Sequence, residues 1–308
     1  MRINFLSFLN PYKFNGGGEL DNRMLIEEGR RLGHDIKIVS RVNNKYLNRI
    51  FQPHYNYHEN PDIWILSDLF NVPEYNLKYP VNFIEDIIEN YNYVHIDNAY
   101  VDICSKPALP CHGDKNKCVK NCGNTISQKI YENSLANFFL SPLHANIING
   151  LMDNKFLLKS KIIRPLIDIS KFHFDTNTNR DIDYIYVGTI SNYKGYQNIK
   201  NKYKNCSSFL FIGKNATNEI LFGKHIEYVP NYGLVKYLAR AKNFVHLPEW
   251  KEPMGRTVIE AALCGCNIIS NENVGACSFD FDLSNSENYK NSSFEFWENI
   301  HELKKNIC

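Results

Sequence analysis

The sequence predicts an α/β protein made of two doubly wound halves, and three observations carry that prediction. The chain opens as strand, glycine-rich turn, helix, strand, the start of a parallel sheet with right-handed crossovers. Its second half repeats the same grammar, with short buried strands separated by helical segments. Near the end, Glu252–Gly265 sets a Pro-x-Gly turn and an apolar helix between two strand-like runs. The 308 residues suit two domains of roughly 150 residues each.

In order along the chain, Ile3–Phe8 reads as the first strand. The Asn10–Gly18 loop leads into a helix from about Glu19 to Leu32, with Gly33 as its C-terminal stop, and strand Asp35–Ser40 follows. Ile63–Leu66, Tyr93–Ile96 and Asn137–Leu140 are short apolar runs expected as buried strands. A join is expected near Ile162–Phe172, dividing the chain into domains 1–162 and 163–308. The second half should carry strands at Asp183–Val187, Ser208–Ile212, His225–Tyr228, Asn243–Leu247 and Asn267–Ser270. Helices are expected near Asn231–Ala241 and Arg256–Cys264. Phe294, Trp297, Ile300 and Leu303 recur at helical spacing, so the tail should be a packed helix, able to return to the N-terminal domain. No repeat of fixed period and no low-complexity segment is present.

A formal net charge of +2 gives no electrostatic argument for nucleic acid or an anionic membrane, and no clear nucleic-acid patch emerges. Lys200-Asn201-Lys202-Tyr203-Lys204 reads as a solvated helix face. No apolar run approaches the ~20 residues of a membrane span, so no transmembrane segment is expected. Met1–Leu9 lacks a cleavage site and reads as a strand, which makes the expected location cytoplasmic.

The chemistry concentrates on Glu252 and Glu260, eight positions apart. The start of a helix offers unpaired N–H groups and a positive dipole end, which suit a phosphate. A carboxylate deeper on that helix can accept hydrogen bonds from ribose hydroxyls. The residues suggest a nucleoside-diphosphate pocket with a carboxylate at its mouth; the plain alternative is a loop acid and a solvated helix face. Glu260 lies beside the Val258, Ile259, Ala262, Leu263 stripe rather than within it. The glycines Gly16, Gly17 and Gly18 allow backbone to approach a ligand closely, though a plain turn explains them equally well. They do not form Gly-x-Gly-x-x-Gly, which argues against a nicotinamide enzyme.

In its strand-loop-helix setting, Glu-Pro-x-Gly-Arg followed by Glu-Ala-Ala-x-x-Gly resembles the retaining GT-B glycosyltransferases of the glycogen-synthase and mannosyltransferase type (group 1, family 4-like), whose signature is Glu, seven residues, Glu. Other matches extend the resemblance over nearly the whole chain. Val187-Gly188-Thr189, continuing to Lys194-Gly195, is similar to the family's Val-Gly-Arg-x-x-x-x-Lys-Gly loop, with Thr189 at the arginine position. Tyr93–Asp97 looks like the strand whose histidine faces the sugar; by itself His95 reads as structural. Arg164–Phe172 matches the interdomain connection, and Asn231–Ala241 the helix before the catalytic strand.

The resemblance implies two Rossmann-like domains facing across a cleft, an N-terminal acceptor domain and a C-terminal nucleotide-sugar domain. The implied reaction moves a sugar from a UDP- or GDP-linked donor to an acceptor hydroxyl of unknown class, with retention and without a catalytic metal. Glu252, His95 and Lys194 are the implied catalytic residues. Gly17, Gly18, Gly188, Lys194, Met254, Gly255, Arg256, Thr257 and Glu260 are the implied nucleotide-sugar contacts. A nucleotide-sugar 2-epimerase of the same fold and a non-catalytic nucleotide-sugar-binding protein are the competing readings. Finally, Cys104, Cys111, Cys118 and Cys122 are clustered, with His112 beside the second. Four thiols could enclose a structural zinc. Their spacing is looser than a paired Cys-x2-Cys, so two disulfides or independent thiols remain alternatives.

Overall fold

The structure is a computed structural model describing residues 1–7, 9–14, 16–40, 56–67, 69–71, 76–77, 79–100, 103, 125–174, 177–206 and 208–306. The chain divides into two compact units, one of Met1–Leu140, Ala145–Ile163 and Ser292–Cys308, the other of Ser141–His144 and Arg164–Asn291.

The first unit starts with β1 (Arg2–Ser7), α1 (Gly17–Arg31) and β2 (Asp35–Ser40), then β3 (Ile63–Ser67) and the two-residue strands β4 (Phe70–Asn71) and β5 (Asn76–Leu77). Next come α2 (Val81–Asn90), β6 (Tyr93–Asp97), α3 (Thr125–Asn133), β7 (Asn137–Phe139), α4 (Pro142–Leu151) and β8 (Ser160–Ile162). The main sheet is parallel throughout, in the order β2-β1-β3-β6-β7-β8. Every residue of β3 and β6 is buried, as expected of parallel strands covered on both faces. Trp64, Leu66 and Tyr93 pack with Ile84 and Ile87 of α2 and Ile130 of α3 to form a core on one face.

The second unit holds β9 (Ile182–Val187), α5 (Tyr196–Tyr203), β10 (Phe209–Ile212), β11 (Lys224–Ile226), α6 (Asn231–Leu238), β12 (Ala241–His246), α7 (Arg256–Leu263) and β13 (Asn267–Ser270). Its sheet is also parallel, in the order β11-β10-β9-β12-β13. The order reverses at β9, so the carboxyl ends of β9 and β12 border the place where doubly wound sheets take ligands. Tyr186, Phe209, Phe211 and Val245 form the core between this sheet and Tyr196 and Ile199 of α5.

The chain closes with α8 (Ser292–Lys305), which belongs to the first unit. Trp297 is fully buried there, donates from Nε1 to Leu25 O at 2.8 Å, and lies over Gly29 of α1. A Cβ at Gly29 would stand 2.3 Å from the indole, so the absent side chain makes this helix crossing possible.

Two local expectations change. The strand expected at His225–Tyr228 runs instead over Lys224–Ile226, and Tyr228 is exposed. The segment entering the expected join contains β8, because Ser160–Ile162 pairs with β7 as an edge strand. Three residues with one apolar position inside a lysine-rich stretch leave no periodic signal.

Candidate functional site

The loop after β12 is fixed before any side chain acts. Glu252 N donates to Asn273 O at 2.7 Å, and Gly275 N donates to Glu252 O at 2.9 Å. Ser141 Oγ donates to Pro253 O at 2.6 Å. Gly255 then takes a left-handed conformation, φ 82°, and α7 begins at the next residue with no side chain capping it. The N–H groups at this helix start, from Arg256 and Thr257, therefore face whatever lies ahead of α7. Met254 is buried just before the turn.

Glu252 is buried and fully engaged. Oε1 pairs with Lys194 Nζ and Oε2 with His246 Nε2. An ionised carboxylate only accepts, so the imidazole proton facing it sits on Nε2. Burial would push the Glu252 carboxyl up, but the His246 imidazole and Lys194 ammonium outweigh it and hold the carboxyl well below its usual range. Lys194 also lies over the Trp250 ring, 4.7 Å from its centroid, while Tyr186 stacks on His246 at 5.8 Å.

Lys194 reaches this position because the turn into α5 docks against the end of β12. Gly195 has φ 89°, and a Cβ there would lie 1.9 Å from Leu247 O. Gly188, at the end of β9, has φ 137° and donates to Ile212 O at 2.9 Å. Thr189, where the resemblance expects arginine, is exposed and accepts at its carbonyl from Tyr186 Oη at 2.8 Å.

Glu260 is fully buried on α7. Its Oε1 accepts from Arg256 Nε at 3.0 Å and Asn231 Nδ2 at 3.4 Å. Its Oε2 is also buried and has no hydrogen-bond partner among the described residues. Burial pushes the Glu260 carboxyl up, opposed by Arg256 and Asn231. Arg256 is not a loose cation: its Nη1 also donates to Leu166 O at 2.6 Å.

In the first unit, Gly17 and Gly18 open α1. A Cβ on Gly17 would meet nothing within 4 Å among the described residues, whereas one on Gly18 would sit 3.5 Å from Asn98 Nδ2. A polar network closes the carboxyl ends of β1 and β3. Asn22 Nδ2 donates to Ser7 Oγ at 3.2 Å and to Ser67 Oγ at 3.1 Å, and Asn98 Nδ2 donates to Ser67 Oγ at 2.6 Å. His95 is fully buried inside β6, edge-on to Tyr131 at 4.7 Å, and Tyr131 Oη donates to Asp97.

The structure thus brings Lys194 to Glu252 and Arg256 to Glu260, and adds three residues that sequence reasoning gave no role: His246, Trp250 and Asn231. A histidine ending a buried apolar strand, six positions before Glu252, was the one available signal. Cys104, Cys111, Cys118 and Cys122 lie outside the described residues. Among the described residues no group of three or more His, Cys, Asp or Glu could hold a metal ion.

No protein-family model matches the sequence, and no curated protein matches it. Solved structures do match it in three dimensions. HepE from Anabaena, in complex with UDP-glucose, superposes with a TM-score of 0.61 at 13% identity, over 98% of this chain and 91% of that one. An α-glucosyltransferase in complex with UDP and a 13-mer DNA gives 0.56 at 12% identity, over 98% and 92%. AviGT4, a glycosyltransferase involved in avilamycin A biosynthesis, gives 0.56 at 13% identity, over 99% and 97%. The chain therefore has the α/β fold shared by these glycosyltransferases, the GT-B fold.

Proposed function

We propose that this protein is a retaining glycosyltransferase using a nucleoside-diphosphate sugar. The observation that carries the reading is Glu260 Oε2, a buried acceptor with no partner among the described residues, on a carboxylate whose other oxygen is already held. A ribose hydroxyl supplies the donor this atom lacks, and it does so one helical turn from the start of α7, where a diphosphate would sit. Arg256 and Asn231 orient Glu260 for that contact. Lys194 and the N–H groups of Arg256 and Thr257 stabilise the departing diphosphate, and Glu252, held between Lys194 and His246, orients the sugar. Gly188, at the end of β9, leaves room for the donor beside Lys194. In the reaction the bond from the anomeric carbon to the diphosphate oxygen breaks and the acceptor oxygen bonds on the same face. The released diphosphate carries away the acceptor's proton.

UDP is the donor diphosphate to test first, because structures similar to this one hold UDP or UDP-glucose. Some of them also hold DNA with an HMU base, so the acceptor panel includes such a duplex beside saccharides. Glu260→Ala should weaken UDP binding about tenfold to a hundredfold, the worth of a charged hydrogen bond of roughly 1.5–3 kcal/mol. Unchanged affinity by calorimetry in a folded variant removes the ribose assignment. Proton NMR of the transfer product should show the donor's anomeric configuration retained. UDP binding with neither transfer nor hydrolysis would instead make the chain a non-catalytic binding protein.

A further inference from the structure

β8 is an edge strand of the first sheet, and the chain enters it through a tightly held turn. Asp153 and Asn154, with φ 55° and 57°, are the only non-glycine residues of positive φ among those described. Such conformations persist where surrounding bonds enforce them. Here Asn154 N donates to Asn149 O at 2.7 Å, Lys155 N to Met152 O at 3.1 Å and Lys159 N to Phe156 O at 2.9 Å. Phe156 turns inward and stacks on Tyr131 at 5.8 Å. The next two side chains turn outward: Leu157 is 56% and Leu158 99% exposed, and Ile162 on β8 is 38% exposed.

A single exposed leucine needs no explanation. Adjacent exposed apolar side chains on an anchored turn do, above all when lysines flank them in the chain. Between Asp153 and Ile162 the charges are Lys155, Lys159 and Lys161 against Asp153 alone. Lys159 Nζ donates to the backbone carbonyl of Glu132, near the end of α3, which ties this side chain to the first unit. Exposed leucines with lysines close to them in the chain match the boundary of an anionic bilayer, where leucines enter the acyl region and lysines meet headgroup phosphates. A second copy pairing along this edge would place lysine against lysine. A nucleic acid would engage the lysines and leave Leu158 in water.

We infer that the segment from Asp153 to Ile162 docks the first unit on the surface of an anionic lipid bilayer. The nearly neutral charge of the whole chain conceals this local concentration of lysine. The docking is independent of the glycosyltransferase reading, because it is measured without donor or acceptor.

The test is co-sedimentation of the full chain with vesicles of phosphatidylcholine alone and of phosphatidylcholine mixed with phosphatidylglycerol. The protein should pellet with the mixed vesicles only, and less as salt is raised. Leu157→Ser with Leu158→Ser should lower vesicle affinity about tenfold or more. Lys155→Gln, Lys159→Gln and Lys161→Gln should each lower it about fivefold. Leu157, Leu158 and Lys155 are exposed, so their variants should melt as wild type does, and UDP affinity should stay at the wild-type value in all of them. The inference is overturned if the protein stays in the supernatant with the mixed vesicles at low salt, or if the double leucine variant pellets like wild type. Lysine-dependent binding to duplex DNA without vesicle binding assigns the patch to nucleic acid. A wild-type dimer that the leucine variant converts to monomer in sedimentation velocity assigns it to a second copy.

Discussion

Lys194 is the residue on which most of the proposed leaving-group stabilisation falls, since Thr189 has no charge to share it. Its ammonium pairs with Glu252, so a bound diphosphate must share that ammonium with the carboxylate. Removing a preorganised donor to developing charge costs ~10²–10³ in turnover, and a principal cation belongs at the upper end. Lys194→Ala should therefore reduce turnover far more than Thr189→Ala, with Arg256→Ala between them or equal to Lys194→Ala. Near-normal turnover in Lys194→Ala would move the diphosphate elsewhere. Glu260 gives a prediction of opposite sign for stability. Its folded carboxyl titrates above its unfolded value of 4.5, so the charge destabilises the empty protein at neutral pH and the penalty fades as pH falls through the folded value. Glu260→Gln should melt about 1–4 °C higher than wild type without ligand and bind UDP more weakly. A lower melting temperature would mean that the Arg256 pair outweighs the burial cost.

The loop into α5 sets the geometry of the site as much as any charged group. Gly195 satisfies two requirements at once: a left-handed φ of 89° and backbone contact with the end of β12. Gly195→Ala introduces a Cβ 1.9 Å from Leu247 O, which backbone movement alone can relieve. The variant should lose about 2–4 kcal/mol of stability and much of its turnover, because Lys194 moves with the turn. Denaturant unfolding together with a transfer assay reads both, and wild-type values for both would deny the turn this role. The Lys194-Gly195 dipeptide was legible in the sequence. Its partner at the end of β12 was not, because contact between neighbouring parallel strands leaves no mark on local composition.

Across the whole chain, α8 shows how far a terminal segment can belong to the first unit. Trp297, Phe296 and Ile300 are buried, and Phe296 lies 4.8 Å from Phe138 of β7. Trp297→Ala should cost about 3–5 kcal/mol in denaturant unfolding, from lost burial and the cavity beside Gly29. A loss below about 1 kcal/mol would mean that α8 contributes little to the first core. Helical spacing of Phe294, Trp297, Ile300 and Leu303 announced the helix but not its seat. That seat depends on Gly29 and Leu25, some 270 positions earlier in the chain.

The sequence by itself determined the two parallel sheets and the strand-loop-helix unit that carries Glu252 and Glu260. Buried parallel strands are short runs dominated by apolar residues, and the turn into α7 needs its glycine at a fixed offset. Both constraints are local and so are written in order along the chain. Tertiary structure decided which groups meet. Glu260 reads as a helix-face acid by periodicity, yet it is buried, because α6 brings Asn231 and α7 brings Arg256 onto one of its oxygens. His246 becomes a partner of Glu252 only through the pinned loop between them. The apolar tip at Leu157 and Leu158 arises because Phe156 alone finds a partner in Tyr131. Each outcome turns on which neighbour a folded surface supplies, a quantity set by packing between distant segments and not by any residue's own neighbours in sequence.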